Sequence, residues 1–336
     1  MTGLGNMSLN ITDAAGFNET ADSMTEPSSS NSFITAAAFI LLISILGLIG
    51  NSLVFWYLGF KIKRTKYTVY IINLAVADLI YLFCISIVMC ITIVLFLKDR
   101  PISNAFSILK VLEITLNCGY YAEMFFLTAV SLERCISIYH PIWYPYKWLK
   151  FQSAVVCFII WVLSCLVTLV DNLGCPPELF GTVAYRCTAV HTFLSVLVFL
   201  VIIPIMVISS LTLVIKIRKT STQVQRSKFV IVIVASVIIF LLSVAPMRLL
   251  WLLLYLQVYP HSFSVEAFFF AVYICVSINS SVNPFIYFLV GRLNMKGVQV
   301  YLEGALKKVF REDEEEEGDR EKKDHEEGDT IDSTIS

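Results

Sequence analysis

The sequence predicts an all-α membrane protein, a seven-transmembrane helix bundle with a short amphipathic eighth helix. Hydrophobic residues make up 57% of the 336-residue chain and charged residues 15%, whereas charged residues are about 25% of an average soluble domain. The mean hydropathy of +0.76 points the same way. Seven apolar runs are each near or above the roughly 20 residues that a membrane-spanning helix needs. They cover residues 33–59, 68–97, 104–133, 153–174, 190–215, 228–258 and 263–290.

The basic residues predict how the chain is oriented. Lys and Arg cluster after the first, third, fifth and seventh runs, and the positive-inside rule places those loops in the cytoplasm. The clusters contain Lys61, Lys63, Arg64, Lys66, Lys147, Lys150, Lys216, Arg218, Lys219, Arg226, Lys228, Arg292 and Lys296. The expected protein is a multi-pass plasma-membrane protein with an extracellular N-terminus. The first run is expected to act as a reverse signal anchor, because no cleavable signal peptide precedes it.

The chain is predicted to have four segments. Residues 1–32 form an extracellular tail, where the sequons at Asn6, Asn10 and Asn18 predict glycosylation. Residues 33–290 form the bundle in the lipid bilayer. Residues 291–311 form the amphipathic eighth helix on the membrane surface, and residues 312–336 form an acidic cytoplasmic tail that is expected to be disordered.

The second and third runs carry acids that are costly in a membrane. Asp78 lies near the middle of the second run, where a carboxylate costs roughly 2.5–3.5 kcal/mol to insert, so a cation or proton site is expected there. In the third run, Glu113, Leu116, Tyr120 and Glu123 fall on one helical face. The adjacent Glu133 and Arg134 close this run, and by themselves they are also compatible with a simple interfacial anchor.

The last run carries a polar stripe around a proline. Asn279, Asn283 and Tyr287 are spaced four residues apart and share one face of a helix, with Ser280 beside them. Pro284 removes a backbone donor and bends the helix. A stripe of this kind must face protein or water, so it is expected to have polar partners in other helices.

Ordered motifs along the runs resemble those of the class A, rhodopsin-like G-protein-coupled receptors, and more closely the Mas-related subfamily. The motifs, one set per span, are Gly50-Asn51, Leu74 to Asp78, Glu133-Arg134-Cys135, Trp161, Pro204, Pro246 and Asn283 to Tyr287; His140 to Tyr144 and Pro246 to Leu250 carry the closer resemblance. The resemblance covers residues 33 to about 310. It implies a receptor that binds an extracellular ligand and activates heterotrimeric G proteins. Thr330, Ser333, Thr334 and Ser336 lie among the acids of the tail, so the tail is expected either to carry receptor-kinase sites and hence arrestin contacts, or simply to keep the chain soluble.

The resemblance also assigns an activation switch, a population shift in which the sixth span moves around Pro246. Its residues are Glu133, Arg134, Pro246, Asn283, Pro284 and Tyr287. Arg226 stands where many class A receptors carry an acid that pairs with the third-span arginine, so an ionic latch from Arg134 to the sixth span is not expected. Easier basal activity is the corresponding hypothesis.

Two further departures concern a disulfide and an ion site. Leu109 replaces the usual third-span cysteine, and the resemblance implies instead a bond between Cys175 and Cys187. The family's sodium site matches at Asp78, Asn279, Ser280 and Asn283, but Glu123 stands at a serine position. Two nearby carboxylates do not both ionise cheaply, so either Glu123 is protonated, which we favour, or a cation is held more strongly. No cofactor is expected other than a sodium ion at this site.

The predicted ligand-binding residues are Glu113, Asp171, Arg248, Trp251 and Tyr255. Asp171 stands where related receptors for basic ligands carry an acid, and Arg248, Trp251 and Tyr255 form one stripe. The expected ligand is a peptide, or another amphipathic, cationic small molecule. A deeply bound monoamine is disfavoured by Leu116, where amine receptors carry an aspartate. The open alternative is that Arg248 pairs internally with Asp171 or Glu113.

Other function classes fit less well. The sequence carries no nucleophile motif, phosphate loop or metal-ligand cluster, so an enzyme is not expected, nor is a nucleic-acid partner. An ion-coupled transporter using Asp78 and Glu123 is the alternative, although the internal repeats and broken helices that transporters tend to show are absent.

Overall fold

Seven long helices make up the part of the chain that this computed structural model describes, residues 27–61, 66–98, 105–139, 149–174, 185–219, 227–256 and 265–292. Helix 1 is Pro27–Phe60, helix 2 Lys66–Lys98, helix 3 Ala105–Tyr139 and helix 4 Leu149–Gly174. Helix 5 comprises Tyr185–Leu197, a π-helical turn at Val198–Ile202 and Ile203–Lys219. Helix 6 is Ser227–Tyr255 and helix 7 is Val265–Arg292. The predicted seven-helix membrane bundle is therefore confirmed.

The sequence explains where the helices begin and bend. Helix 1 begins at Pro27, ahead of the predicted span, and proline suits the first turn because its missing N–H has no partner there. Pro246 and Pro284 lie inside helices 6 and 7 and each removes one backbone hydrogen bond. Residues 27–32 of the predicted N-terminal tail begin helix 1, and residues 291–292 of the predicted eighth helix end helix 7. The rest of both segments, with the sequons, and the acidic tail lie outside the described residues.

The bundle closes into a ring with helix 3 at its centre. Helix 1 packs against helices 2 and 7, helix 7 against helix 6, and helix 3 against helices 2, 4, 5 and 6. Six of the helices contain stretches long and apolar enough to cross a membrane. Helix 3 is more polar, with Asn117, Tyr120 and Glu123 in its middle. A central helix tolerates those groups because other helices supply polar partners.

Large apolar side chains cover the outside of the bundle, as expected for a surface that faces lipid. Leu42, Phe158, Leu200 and Leu242 are examples of exposed residues on four different helices. Close contacts between helices depend on small residues. A Cβ added at Gly47 would lie 2.2 Å from Ser281 Oγ in helix 7, so only glycine lets helices 1 and 7 approach this closely.

Side-chain amides join the helices within this bundle. Asn51 Nδ2 of helix 1 donates to Ser280 O of helix 7 at 3.0 Å. Trp161 Nε1 of helix 4 donates to Asn73 Oδ1 of helix 2, also at 3.0 Å. Such bonds average about 0.6 kcal/mol each in membrane proteins, so they contribute register more than stability.

Candidate functional site

A cavity of about 120 Å³ lies among helices 2 to 7, at the end of the bundle opposite Arg134; we call it the Arg248 cavity. Four of the five predicted ligand-binding residues line it: Glu113, Asp171, Arg248 and Trp251. The fifth, Tyr255, belongs to helix 6, but its side chain lies outside the described residues. The structure thus brings together charged groups that are as far apart in sequence as helices 3 and 6.

A chain of hydrogen bonds crosses this cavity from helix 6 to helix 4. Arg248 Nη2 donates to Tyr121 OH at 2.9 Å, and Tyr121 OH donates to Asp171 Oδ2 at 2.8 Å. Arg248 is only 7% exposed. A buried guanidinium needs an opposite charge nearby, and Asp171 supplies it through the phenol. The internal pairing considered from the sequence is present in this indirect form.

Aromatic rings complete the surroundings of Arg248. Its Cζ lies 5.8 Å from the ring centroid of Tyr120 and 5.6 Å from that of Tyr121, so both rings add cation–π attraction. Arg248 Nε is buried and has no hydrogen-bond partner among the described residues.

Two residues of this site, Tyr121 and His191, were missed by the sequence analysis. His191 Nδ1 lies 4.0 Å from Asp171 Oδ1, and the His191 ring stacks on Trp251 with centroids 5.5 Å apart and planes at 11°. The signal that could have identified His191 is its place one turn after Cys187, on the same face of helix 5. Tyr121 lies outside the face predicted for helix 3, because it points toward helix 4.

A second cavity, of about 350 Å³, lies between helices 1, 2, 3 and 7. We call it the Phe33 cavity. Its wall is mostly apolar, and the two cavities share Glu113, Leu116, Phe269 and Tyr273. Glu113 therefore faces a polar cavity on one side and an apolar cavity on the other.

The predicted ion-site residues also meet in the middle of the bundle. Glu123 accepts hydrogen bonds from Asn279 Nδ2 and, at 2.7 Å, from Ser280 Oγ. Asn283 Nδ2 donates to Asp78 Oδ2 at 3.1 Å. Both acids are essentially inaccessible to solvent, at 0% and 1% exposed for Asp78 and Glu123.

Amide and hydroxyl donors surround the two carboxyl groups of this site. Amide nitrogens from Asn279 and Asn283 point at the two carboxyl groups, and an amide nitrogen does not coordinate a cation. The Asp78 and Glu123 side chains are within hydrogen-bonding range of each other. A proton between them would satisfy Asp78 Oδ1, which has no other partner among the described residues.

The opposite end of the bundle holds the Glu133–Arg134 pair. Tyr70 OH of helix 2 donates to Glu133 Oε1 at 3.3 Å, and Arg134 Cζ lies 3.5 Å from the ring centroid of Tyr67, also of helix 2. Both tyrosines were missed, because nothing in the spacing along helix 2 indicates which residue of helix 3 it contacts. Arg226 lies outside the described residues.

The remaining predicted site residues are placed as follows. Pro246 and Pro284 lie within helices 6 and 7, and Tyr287 is buried in the core. Cys187 is buried and disulfide-bonded. Cys175 and the sequons at Asn6, Asn10 and Asn18 lie outside the described residues, so the Cys175–Cys187 pairing and the glycosylation stay predictions.

Comparisons with known proteins agree with this architecture. The model of the family described as 7 transmembrane receptor (rhodopsin family) matches residues 50–287. The chain is 39% identical over 277 residues to Proto-oncogene Mas of Homo sapiens, covering 82% of each chain. It is 34% identical over 277 residues to Mas-related G-protein coupled receptor member D of Macaca fascicularis, covering 81% of this chain and 83% of that relative. Member F of Rattus norvegicus is 36% identical over 256 residues, with 75% and 71% covered.

Proposed function

The chain belongs to the rhodopsin family of seven-transmembrane receptors, and within it to the Mas-related receptors; we propose that it binds an extracellular ligand in the Arg248 cavity. The bound receptor then activates heterotrimeric G proteins from the end of the bundle that carries Arg134. Membership of the family makes it a multi-pass plasma-membrane receptor. The observation that carries the proposal is the charged cavity at one end of a bundle whose other end holds the Glu133–Arg134 pair.

The proposed ligand is a peptide or another amphipathic cation. Acids outnumber permanent cations on the wall of the Arg248 cavity, with Glu113 and Asp171 against Arg248. Leu116 is buried at the site where amine receptors carry an aspartate, so a small amine held there has no counter-ion. Trp251 packs edge-on against Phe268 and Phe269, with centroids 5.1 and 5.4 Å apart, and offers an apolar surface beside the charges.

The proposed mechanism is a population shift that uses helix 6. Arg248 and Trp251 belong to helix 6 above Pro246, and Ser236 of the same helix donates to Asn283 Oδ1 at 3.2 Å below it. A ligand that competes for Tyr121 or Asp171 weakens the tie between helix 6 and helices 3 and 4. Helix 6 then moves around Pro246, and the end that carries Arg134 opens for the G protein.

For the centre of the bundle we propose a proton shared by Asp78 and Glu123 in place of the family's sodium ion. The amide donors of Asn279 and Asn283 support this choice. The proton keeps two adjacent carboxyls from both ionising in an apolar interior. Agonist affinity would then depend only weakly on the sodium concentration.

Family membership favours the receptor over the ion-coupled transporter, and it is not a family of enzymes. An extracellular N-terminus, and contacts of arrestin and a receptor kinase with the C-terminal tail, are further parts of the proposal. The basic residues between the helices support the first, and the hydroxyls at Thr330, Ser333, Thr334 and Ser336 support the second.

The test is G-protein activation in cells that express the full chain. A second-messenger panel is measured with and without pooled basic peptides, beside an Arg134→Ala variant at matched surface expression. We expect signalling, basal or peptide-induced, that Arg134→Ala abolishes. Ion flux into proteoliposomes without any G-protein signal would instead support the transporter.

A further inference from the structure

Glu113 is the acid of the Arg248 cavity that the protein itself does not engage. Its carboxylate has no hydrogen bond or salt bridge to any residue that the structure describes; Lys110, one turn earlier on helix 3, is near enough to attract it but forms no salt bridge with it. Asp171, in contrast, accepts a hydrogen bond from Tyr121 and is balanced by Arg248 beyond it. Of the two acids, Glu113 is therefore the one that no described residue holds by a hydrogen bond, and the one that a ligand cation can contact directly.

Glu113 also borders the Phe33 cavity, which has space for the apolar part of a ligand. The Phe33 cavity, about 350 Å³ in volume, is lined by Phe33, Val88, Met89, Thr92, Leu109 and Phe270, in addition to the residues that it shares with the Arg248 cavity. Phe33 and Phe270 meet edge to face, with centroids 5.1 Å apart at 87°. A dry apolar cavity of about 150 Å³ can already bind benzene. The Phe33 cavity thus has room for an aromatic ring and a short alkyl chain.

We propose that Glu113 and the Phe33 cavity together bind an amphipathic monocation, with its ammonium group at the Glu113 carboxylate and its aryl or alkyl arm between helices 1, 2, 3 and 7. This assignment rests on the proposed receptor function and deepens it by naming the counter-ion and the apolar subsite for the cationic ligand proposed above. The ammonium group would lie at Glu113, which precedes Leu116 by one helical turn. The site therefore differs from that of the amine receptors, in which the counter-ion stands at the position of Leu116.

The geometry favours this pose over one centred on Asp171. An ammonium at Asp171 would add a positive charge beside Arg248, whose Nη2 is one phenol away, and like charges in a buried site repel strongly. At Glu113 the same ammonium meets a carboxylate that has no direct contact with a described cation and lies on the far side of the Arg248–Tyr121–Asp171 chain. Its apolar arm leaves water for a cavity wall of aromatic and aliphatic side chains.

The probe is para-fluorophenylbutylamine, and the neutral control is para-fluorophenylbutanol. Fluorine NMR titrations use the full-length receptor in lipid nanodiscs, and empty nanodiscs give the partitioning background. We expect saturable binding of the amine, with the alcohol at least about tenfold weaker, because a charge-assisted hydrogen bond is roughly twice as strong as a neutral one and is buried here.

Variants separate the two halves of the site. Glu113→Gln is expected to weaken the amine at least about tenfold while leaving the alcohol unchanged, since the amide keeps the shape and loses the charge. Val88→Phe fills the Phe33 cavity and is expected to weaken both compounds; Thr92→Leu, which acts from one turn further along helix 2, serves if the first variant unfolds. Asp171→Asn, which removes the other acid of the Arg248 cavity, is expected to weaken the amine by a smaller factor than Glu113→Gln does.

Three outcomes would overturn the proposal: no saturable binding of the amine to the wild-type receptor, equal amine affinity in Glu113→Gln, or a larger loss of amine affinity in Asp171→Asn than in Glu113→Gln. Nucleotide exchange on a G protein, measured in the same nanodiscs, keeps the two proposals apart. Exchange without the expected binding pattern rejects this site and leaves the receptor function standing. The expected binding pattern without exchange supports the site and rejects G-protein coupling.

Discussion

The contact between Arg134 and Tyr67 predicts how strongly the resting receptor is restrained. Tyr67→Ala removes the ring on which the guanidinium lies at 3.5 Å from the centroid. Both side chains are buried, at 6% and 8% exposed for Tyr67 and Arg134, so the attraction belongs to the desolvated class of cation–π contacts, worth about 2 kcal/mol. If the G-protein-bound state gives up this contact, its loss raises the ratio of active to resting receptor by up to about 30-fold.

The assay is basal GTPγS binding to membranes at matched receptor density. Tyr67→Phe is the matched control, because it keeps the ring and is expected to stay near wild type. Tyr70→Phe removes the bond to Glu133 and leaves the ring under Arg134 in place. It is expected to raise basal exchange by a smaller factor, since a 3.3 Å bond is longer than the usual O–H···O hydrogen bond and correspondingly weaker. Basal exchange in Tyr67→Ala no higher than in wild type would refute the reasoning.

Three further predictions concern other parts of the bundle. Arg248→Met and Asp171→Asn are each expected to lower the melting temperature of the purified receptor, because each leaves the opposite charge of the pair uncompensated. The double variant is expected to recover part of this loss. Strictly additive losses would argue against the charge balance. Glu123→Ser is expected to make agonist affinity more sensitive to sodium than in wild type, since it removes the second carboxyl beside Asp78 and leaves room for the ion. If sodium affects agonist affinity no more in the variant than in wild type, the shared proton is contradicted. Gly47→Ala is expected to destabilise the fold by about 1–3 kcal/mol through overpacking, because its Cβ would lie 2.2 Å from Ser281 Oγ. Gly59→Ala is the control: its Cβ would have nothing within 4 Å, so it is expected to be neutral or slightly stabilising. Similar melting temperatures for the two variants would contradict this.

The helices were predictable because hydrocarbon is a demanding solvent. Every backbone donor in a span must be satisfied within the chain, so a long apolar run has one regular solution. The observed helices 2 to 7 overlap the predicted spans, and helix 1 extends past its span to Pro27. The same argument singles out Asp78, Glu123 and Asn283, because polar groups at mid-membrane must find partners in other helices.

The pairings between helices were less predictable. Periodicity gives the face on which a residue lies, but not which residue of another helix it meets. Tyr121 joins Arg248 to Asp171 across helices 3, 4 and 6, and this depends on the depth at which those helices are packed. The stacking of Arg134 on Tyr67 has the same origin. Hydropathy constrains depth to within about a turn, which is too coarse to predict a hydrogen bond.

The sequence by itself therefore determined the fold class, the receptor family and the acids and prolines on which a switch would depend, since each of these follows from the cost of a residue in lipid or from local motifs. Only the tertiary structure decided which acid is already balanced and which is open. Asp171 and Glu113 are equivalent as carboxylates on the same cavity wall. They differ because Tyr121 and Arg248 reach one of them and leave the other facing the Phe33 cavity, and that difference is a matter of distances between helices.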